Sequence, residues 1–252
     1  MQHFYVMPEN IEPEKIYITD NEVHHILDVL RKTVGDRITL FDGMGNEYEA
    51  QIAEITGSGR KKVIVAGILK TSRSFTEPKT RIILFQSIPK SSKMDLIIQK
   101  CTEAGVFKFV PVISDRTIIK LEEKTKLEKT KRWRDIARNA AKQSGRGIVP
   151  EVGEITTFHS AIKACSENKI KSIILWESEK TLHLKEYLKI NRMELSCTAV
   201  FIGPEGGFCH DEIAESERYG ISSITLGSRI LRTETTGLLT AAMILYEMNE
   251  LG

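Results

Sequence analysis

The pattern of hydrophobic residues changes at about residue 72, and this change divides the chain into two parts. Glycine-containing turns separate short runs of strand-forming residues in the first part. A single helix is predicted to begin there at Thr19-x-x-Glu22, which has the form of a capping box. Short strands with tight turns predict a small β-barrel over residues 1–72. Runs that are rich in β-branched residues or alternate in polarity predict its strands at residues 4–6, 15–18, 37–41, 47–55 and 62–69.

Strands and helices alternate in the second part, after a polar linker at residues 71–78. This alternation is typical of an α/β domain with a mostly parallel sheet, here residues 73–252. Buried strands are predicted at residues 82–86, 107–113, 172–176, 199–202 and 223–226. Helical spacing of apolar residues predicts helices at residues 92–104, 126–144, 211–219 and 235–249.

Composition excludes several classes of protein. The longest apolar stretch, residues 237–246, is about half of the roughly 20 residues that a membrane span requires. The N-terminus lacks the basic and apolar regions of a signal peptide, and the four cysteines are scattered, so we expect reduced thiols and a cytoplasmic location. Lys and Arg number 36 against 34 Asp and Glu, so the net charge of +2 indicates no partner.

One stretch is nevertheless strongly basic. Residues 120–147 contain ten Lys or Arg and four Asp or Glu, a local net charge of 10 − 4 = +6. Such a stretch in a neutral protein is typical of a surface that binds polyanions, although a solvated helix face explains the charge equally well. The stretch ends in Gln-Ser-Gly-Arg at 143–146, whose polar groups are suited to phosphates and base edges.

Two successive loops of the α/β part carry the strongest functional signal. Gly-Pro-Glu-Gly-Gly-Phe at 203–208 follows one predicted strand, and Gly-Ser-Arg-Ile-Leu-Arg-Thr-Glu at 227–234 follows the next. Ligands bind α/β sheets in loops beyond the carboxyl ends of the strands, and glycines let the backbone approach a ligand closely. The spacing matches neither a dinucleotide fingerprint nor a P-loop. Either loop alone is explained as a turn or a helix cap, but together they predict a pocket.

Residues 202–208 and 226–235 resemble the two signature loops of the RsmE family of small-subunit rRNA uracil-N3 methyltransferases, members of the knotted SPOUT superfamily. The chain departs from the family at Ala104, where leucine is common, and at His3, where arginine commonly precedes the aromatic pair. Weaker similarity extends the resemblance over nearly the whole chain, at residues 25–31, 94–106 and 132–150.

The resemblance implies a PUA-like β-barrel followed by a SPOUT domain with a C-terminal trefoil knot, working as a homodimer. It implies S-adenosylmethionine as cofactor and, as substrate, the uracil N3 of a uridine in 16S rRNA of the assembled 30S subunit. The residues expected to bind the cofactor are Trp176, Glu177, Ile202, Gly203, Pro204, Glu205, Gly206, Gly207, Leu226, Gly227, Ser228, Ile230 and Leu231. Those expected to contact RNA are Arg31, Arg132, Gln143, Ser144 and Arg146.

The expected chemistry needs a proton acceptor and a positive charge. The N3–H of uracil is weakly acidic, so it must lose its proton before N3 attacks a methyl group. We expect Arg232 to stabilise the resulting anion and Glu234 to accept the proton, with Arg229 as a further catalytic residue. No metal is expected, because the sequence contains no His, Cys and Asp cluster at ligand spacing.

Two alternative functions remain open at this point. One is a SPOUT methyltransferase that acts on another RNA atom, such as a ribose 2′-hydroxyl. The other is a non-catalytic RNA-binding assembly factor with a relict pocket, against which the intact glycine-rich loop argues.

Overall fold

Two separate sheets organise the protein in a computed structural model that describes residues 3–118 and 122–251. The first compact unit contains Met1–Glu77 and Ala141–Val149, and the second contains Pro78–Ala140 and Pro150–Gly252. Lys120, where the predicted basic stretch begins, lies outside the described residues.

The first unit contains one five-stranded sheet with strand order β1-β3-β4-β5-β2. Only β1 and β3 pair in parallel, and the other pairings are antiparallel. All five predicted strands are present, and the last continues further than predicted because it pairs with β4 as far as Arg73. The strands are β1 (His3–Tyr5), β2 (Lys15–Ile18), β3 (Arg37–Phe41), β4 (Asn46–Thr56) and β5 (Val63–Arg73).

The helix of this unit, α1 (Asp20–His24), is short and continues as a π-helical turn, His25–Val29. Thr19 stands at its N-cap position, but its side chain makes no capping hydrogen bond, so the predicted capping box is wrong. The Thr19 hydroxyl instead donates to the Asp20 carboxylate, and Asp20 has a left-handed φ of +57°.

A later segment of the chain, residues 141–149, completes the first unit. Gly147 accepts a hydrogen bond from the Gly45 amide in the β3–β4 turn, and the Glu77 carboxylate accepts one from Ile148 N at 3.1 Å. Arg146 forms a buried ion pair with Glu77, at 2.7 Å. These bonds explain why the division of the chain differs from the single boundary predicted between residues 72 and 73.

The second unit contains a seven-stranded sheet in which every described pairing is parallel. Its strand order is β12-β10-β11-β6-β7-β8, with β9 paired to β7. The strands are β6 (Arg81–Ser87), β7 (Lys108–Ile113), β8 (Glu151–Val152), β9 (Thr156–Thr157), β10 (Lys171–Leu175), β11 (Cys197–Ile202) and β12 (Ser222–Ile224). The helices are α2 (Lys93–Glu103), α3 (Glu123–Ser144), α4 (Phe158–Glu167), α5 (Leu184–Asn191), α6 (His210–Arg218) and α7 (Thr233–Glu247).

The five predicted strands and four predicted helices of this part are present, within a few residues of the expected bounds. The sequence analysis missed β8, β9, α4 and α5. The predicted trefoil knot, which concerns how the chain threads through its own loops, stays a prediction. Among the described residues, no helix is both long and apolar enough to cross a membrane.

The register of the sheet aligns three strand ends. Leu175, the last residue of β10, lies opposite Ile202 of β11 and Ile224 of β12. Beneath these ends the sheet is held by buried aromatic rings, including Phe85 and Phe201, whose stacked centroids are 4.4 Å apart. The loops that follow β10, β11 and β12 therefore leave the sheet at one edge.

Candidate active site

The loops after β10, β11 and β12, together with the start of α7, line one cavity of about 870 Å³. The cavity receives residues from all three loops because the parallel strands end in register. All thirteen residues predicted to bind the cofactor line it: Trp176, Glu177, Ile202, Gly203, Pro204, Glu205, Gly206, Gly207, Leu226, Gly227, Ser228, Ile230 and Leu231. The structure thus brings them together, and their binding of the cofactor stays a prediction.

The glycine-rich loop after β11 is closed so tightly that two of its glycines have little space for a side chain. A Cβ on Gly203 would lie 3.0 Å from the carbonyl carbon of Gly207 and 3.1 Å from its Cα. Gly207 has φ +66°, and a Cβ there would lie 2.5 Å from a carboxylate oxygen of Glu177. The Gly207 amide donates to the Pro204 carbonyl at 3.0 Å, and Arg116 donates to the Gly206 carbonyl. Bare backbone therefore forms this wall of the cavity.

A buried hydroxyl fixes the glycine-rich loop to the start of α7. Thr233 Oγ1 donates to the Gly203 carbonyl at 2.6 Å and accepts from Gln86 Nε2 at 2.9 Å. Gln86 lies near the carboxyl end of β6, the neighbour of β11 in the sheet. The three residues, all buried, connect two strands and one helix at the floor of the site.

A row of charges connects the same elements near the surface. Lys93 Nζ lies 2.9 Å from Glu205 Oε1 and 3.5 Å from Glu234 Oε2. Glu234 Oε1 lies 4.0 Å from Arg232 Nη1. Burial raises the pKa of Glu205, but hydrogen bonds from Lys93 and from backbone amides outweigh it and leave that pKa lowered. The hydrogen bond to Glu205 in turn raises the pKa of Lys93.

The three predicted catalytic residues occupy different positions. Arg229 and Arg232 line the cavity, and the Arg232 side chain is 84% exposed. Glu234 is not among the lining residues, and its side chain is 15% exposed. The arginines are thus placed to meet an incoming anion, whereas Glu234 lies beside Lys93.

Several lining residues were missed by the sequence analysis. Apolar Leu175 and Ile224 are the strand ends, and their position follows only from the sheet register. Glu179 organises the loop after β10 by accepting hydrogen bonds from the amides of 180–182, and the Thr181 hydroxyl is the main cause of its lowered pKa. Lys93 begins a helix, where a lysine by itself signals nothing. The other missed residues are Lys180, His183, Thr225, Thr233 and Thr236.

The residues predicted to contact RNA differ in exposure. Arg31 and Gln143 are exposed, and Ser144 is half-buried. The Arg132 side chain is 66% exposed, although it pairs with Asp95. Arg146 is different, because its side chain is only 5% exposed and its guanidinium makes two hydrogen bonds to Glu77. Arg146 is thus placed to hold residues 141–149 to Glu77 within the first unit, and its contact with RNA stays a prediction.

One group of potential metal ligands is present among the described residues. The ligand atoms of Asp115, Cys209 and Glu212 lie within 4.8 Å of one another. Hydrogen bonds already use these atoms, because Glu212 accepts from the amides of Asp115 and Cys209, and Cys209 caps α6. The cluster is therefore explained by the start of α6.

Comparisons with known proteins cover both units. A family model described as "RNA methyltransferase domain" matches residues 76–245, and one described as "RNA methyltransferase PUA domain" matches residues 18–65. The ribosomal RNA small subunit methyltransferase E of Bacillus subtilis is 30% identical over 253 residues, which cover 98% of this chain and 97% of the relative. The protein of the same name from Buchnera aphidicola (subsp. Acyrthosiphon pisum) is 31% identical, with 88% and 84% covered.

A solved structure is similar over the same length. The ribosomal RNA small subunit methyltransferase E of Neisseria gonorrhoeae, bound to S-adenosylmethionine, superposes with a TM-score of 0.84 at 32% identity. The alignment covers 98% of this chain and 97% of that one. The likeness therefore includes both the five-stranded and the seven-stranded sheet.

Proposed function

The chain belongs to the ribosomal RNA small subunit methyltransferase E family, and from this premise we propose that it methylates N3 of a uracil in 16S rRNA. It is an rRNA methyltransferase that uses S-adenosylmethionine. The observation that carries the proposal is the convergence of the two signature loops on one cavity. We further propose that it acts in the cytoplasm on the assembled 30S subunit.

The cavity fits S-adenosylmethionine in size and chemistry. Its volume of about 870 Å³ lies in the range of roughly 300–1,000 Å³ that is usual for small-molecule sites. Apolar strand ends offer a surface for the adenine, and glycine backbone offers hydrogen-bonding groups that no side chain obstructs. The carboxylates of Glu177 and Glu205 supply negative charge suited to a sulfonium. When bound, the cofactor supplies an electrophilic methyl group.

Three residues of the chain have separate roles toward the substrate. Arg232 presents its guanidinium to the anion that uracil becomes when N3 loses its proton, and Arg229 adds a second positive charge at the same wall. Glu234 accepts the N3 proton through its carboxylate.

RNA binding is assigned to polar side chains on both units. Arg31, Gln143 and Ser144 belong to the first unit, and Arg132 belongs to the second. Arginine and amide side chains bind phosphates and base edges, so each unit carries residues suited to RNA contacts of its own. Arg146 is left out because it is buried.

We also propose a homodimer. On α7, Met243 and Tyr246 are exposed, and Leu239 and Ala242 beside them are half-buried. An exposed apolar face of this kind fits a partner surface of the same chain. Light scattering of the purified protein checks the mass, and a monomer at all concentrations overturns this part of the proposal.

Nucleoside analysis tests the reaction. The purified protein is incubated with labelled S-adenosylmethionine and 30S subunits that lack their native uridine methylation, and the digested rRNA is examined by mass spectrometry. We expect 3-methyluridine. A 2′-O-methylated nucleoside supports the alternative SPOUT activity, and absence of both transfer and cofactor binding supports the assembly factor.

Replacing Arg232 with Ala separates catalysis from binding. Because Arg232 meets a charge that develops during reaction, we expect Arg232→Ala to slow transfer by roughly 10²-fold or more. We expect the Kd for S-adenosylmethionine, measured by calorimetry, to stay within about threefold of the wild type, since a change of that size is under about 1 kcal/mol. Equal loss of both would mean that Arg232 builds the pocket.

A further inference from the structure

An arginine from another loop contacts the glycine-rich wall of the cavity. Arg116 is exposed and lies in the turn after β7, two strands away from β11 in the sheet. Its guanidinium donates to the carbonyl oxygen of Gly206, a residue that lines the cavity. A Cβ on Gly206 would lie 3.3 Å from Cδ of Arg116, so the arginine stem lies beside the same backbone. Arg116 thus contacts the wall without being one of the residues that line the cavity.

The hydrogen bond from Arg116 acts on the part of the loop where two glycines are adjacent. Glycine has the widest range of backbone angles of any residue, so a Gly-Gly peptide is not fixed by its own sterics. The peptide group between Gly206 and Gly207 has its amide bound to the Pro204 carbonyl at 3.0 Å and its carbonyl bound to Arg116. Both ends of this peptide group are therefore held, and Arg116 holds one of them from another element.

The first half of the loop is held by a different group. The buried Thr233 hydroxyl donates to the Gly203 carbonyl at 2.6 Å. Among the described residues, the hydrogen bond that reaches Gly206 or Gly207 from another element is the one from Arg116. Loss of that bond would release the second half of the loop and leave the first half in place.

The turn that carries Arg116 is itself anchored to the start of α6. The Asp115 amide donates to Glu212 Oε1 at 3.0 Å, and the Asp115 carboxylate accepts from Cys209 Sγ at 3.3 Å. Glu212 is buried, so this anchor lies in the interior of the second unit. Arg116 therefore reaches the glycine-rich loop from a fixed backbone.

We propose that Arg116 is a positioning residue for S-adenosylmethionine, which holds the Gly206–Gly207 peptide in its binding orientation before the cofactor arrives. This inference rests on the proposed placement of the cofactor in this cavity. A binding loop that is ordered in advance loses less conformational entropy when its ligand binds. Without Arg116, the cofactor itself must order the loop, so its affinity falls, whereas the reaction of the bound cofactor is unchanged.

The test separates cofactor affinity from the rate of transfer. Arg116→Met keeps an unbranched stem and removes the donors, so we expect the Kd for S-adenosylmethionine in calorimetry to rise about tenfold. At saturating S-adenosylmethionine, we expect single-turnover transfer to 30S subunits to stay within about threefold of the wild type. Arg116→Lys keeps a cationic donor, so its Kd should lie between those of the wild type and Arg116→Met.

Hydrogen exchange gives a readout that does not depend on the reaction. The Gly207 amide is protected by its bond to the Pro204 carbonyl, and that bond requires the peptide orientation that Arg116 holds. In the protein without cofactor, we expect Arg116→Met to accelerate exchange of this amide by about tenfold, because local opening becomes easier. Thermal unfolding verifies that each variant is folded.

Arg134 provides the matched control. It lies in the same unit, its side chain is 53% exposed, and its Nε donates to the carbonyl of Val152 at 3.0 Å. Arg134→Met therefore removes an arginine-to-carbonyl hydrogen bond of the same kind from β8. We expect its Kd for S-adenosylmethionine and its Gly207 exchange rate to equal those of the wild type. Equal changes in both variants would show a general effect of losing an arginine and overturn the proposal.

Two further results overturn the inference about Arg116. One is an Arg116→Met protein with the Kd and the Gly207 exchange of the wild type. The other is an unchanged Kd with slower transfer at saturating cofactor, which would assign Arg116 to RNA. Failure of the proposed cofactor site looks different: Gly203→Ala, whose Cβ presses on the same loop, would then leave the Kd unchanged.

Discussion

At the scale of single residues, Gly203 shows how little space the site leaves. We predict that Gly203→Ala weakens S-adenosylmethionine binding by at least about tenfold, or roughly 1.4 kcal/mol, because the new Cβ would press on the backbone of Gly207. Calorimetry measures the change. The control is Gly153→Ala, whose Cβ would meet its nearest atom, the Phe109 carbonyl oxygen, at an ordinary 3.5 Å. Equal affinities for the two variants would contradict this reading of the loop.

Some residues of the site could be predicted from the sequence and others could not. The glycines and arginines of the two loops could be singled out because both follow predicted strands, and the cavity contains them. Lys93 could not, because its contacts with Glu205 and Glu234 depend on β6 lying beside β11. The ion pair of Arg146 could not be predicted, because its partner Glu77 lies 69 residues earlier and a local sequence pattern does not show such a contact.

At the scale of elements, the start of α7 is tied to the glycine-rich loop by one hydroxyl. We predict that Thr233→Val, which preserves the shape and removes the donor, lowers both cofactor affinity and stability, the latter by about 1–3 kcal/mol. The reason is that the buried carbonyl of Gly203 loses the Thr233 hydrogen bond. Calorimetry and urea denaturation measure the two losses.

Thr240→Val is the matched control for that substitution. Thr240 is also buried on α7, but its hydroxyl donates to the carbonyl of Thr236 within the same helix. We expect its cofactor affinity to equal that of the wild type. If both variants lost affinity alike, the effect would belong to the helix and not to the contact with the loop.

Strands and helices could be predicted from the sequence where the hydrophobic pattern extends over several residues. Strands such as β6 and β11 each contain a continuous apolar run of four residues, and α7 is apolar over most of its length. The two-residue strands β8 and β9 are too short to produce a period, and their pairing with β7 is purely tertiary. The predicted capping box of α1 is wrong because the Thr19 hydroxyl donates its hydrogen bond to the Asp20 carboxylate.

At the scale of the whole molecule, two arginines of the basic stretch have opposite expected roles. We predict that Arg146→Met destabilises the protein by about 3 kcal/mol in urea denaturation, because it leaves the largely buried Glu77 carboxylate without its counter-charge. Arg132→Met should cost less than about 1 kcal/mol, since the Arg132 side chain in its ion pair with Asp95 is 66% exposed.

For RNA affinity we expect the reverse order, with a larger loss for Arg132→Met than for Arg146→Met. We expect Arg132→Met to weaken 30S binding and to reduce its salt dependence, because one phosphate contact is lost. An Arg146→Met protein with wild-type stability and weakened RNA binding would restore the role that the sequence first suggested for Arg146.

The discontinuity of the first unit has a consequence for the order of events during translation. The strands β1 to β5 are complete once residue 73 has been made, but residues 141–149 are added only after the 63 residues from 78 to 140. Because translation adds roughly 5–20 residues per second, the Glu77 carboxylate has no Arg146 to pair with for several seconds after β5 is complete. The first unit of this RNA-modifying enzyme therefore cannot be completed until residues 141–149 have been synthesised. In a nascent chain that is stalled before residue 141, the unit lacks this segment.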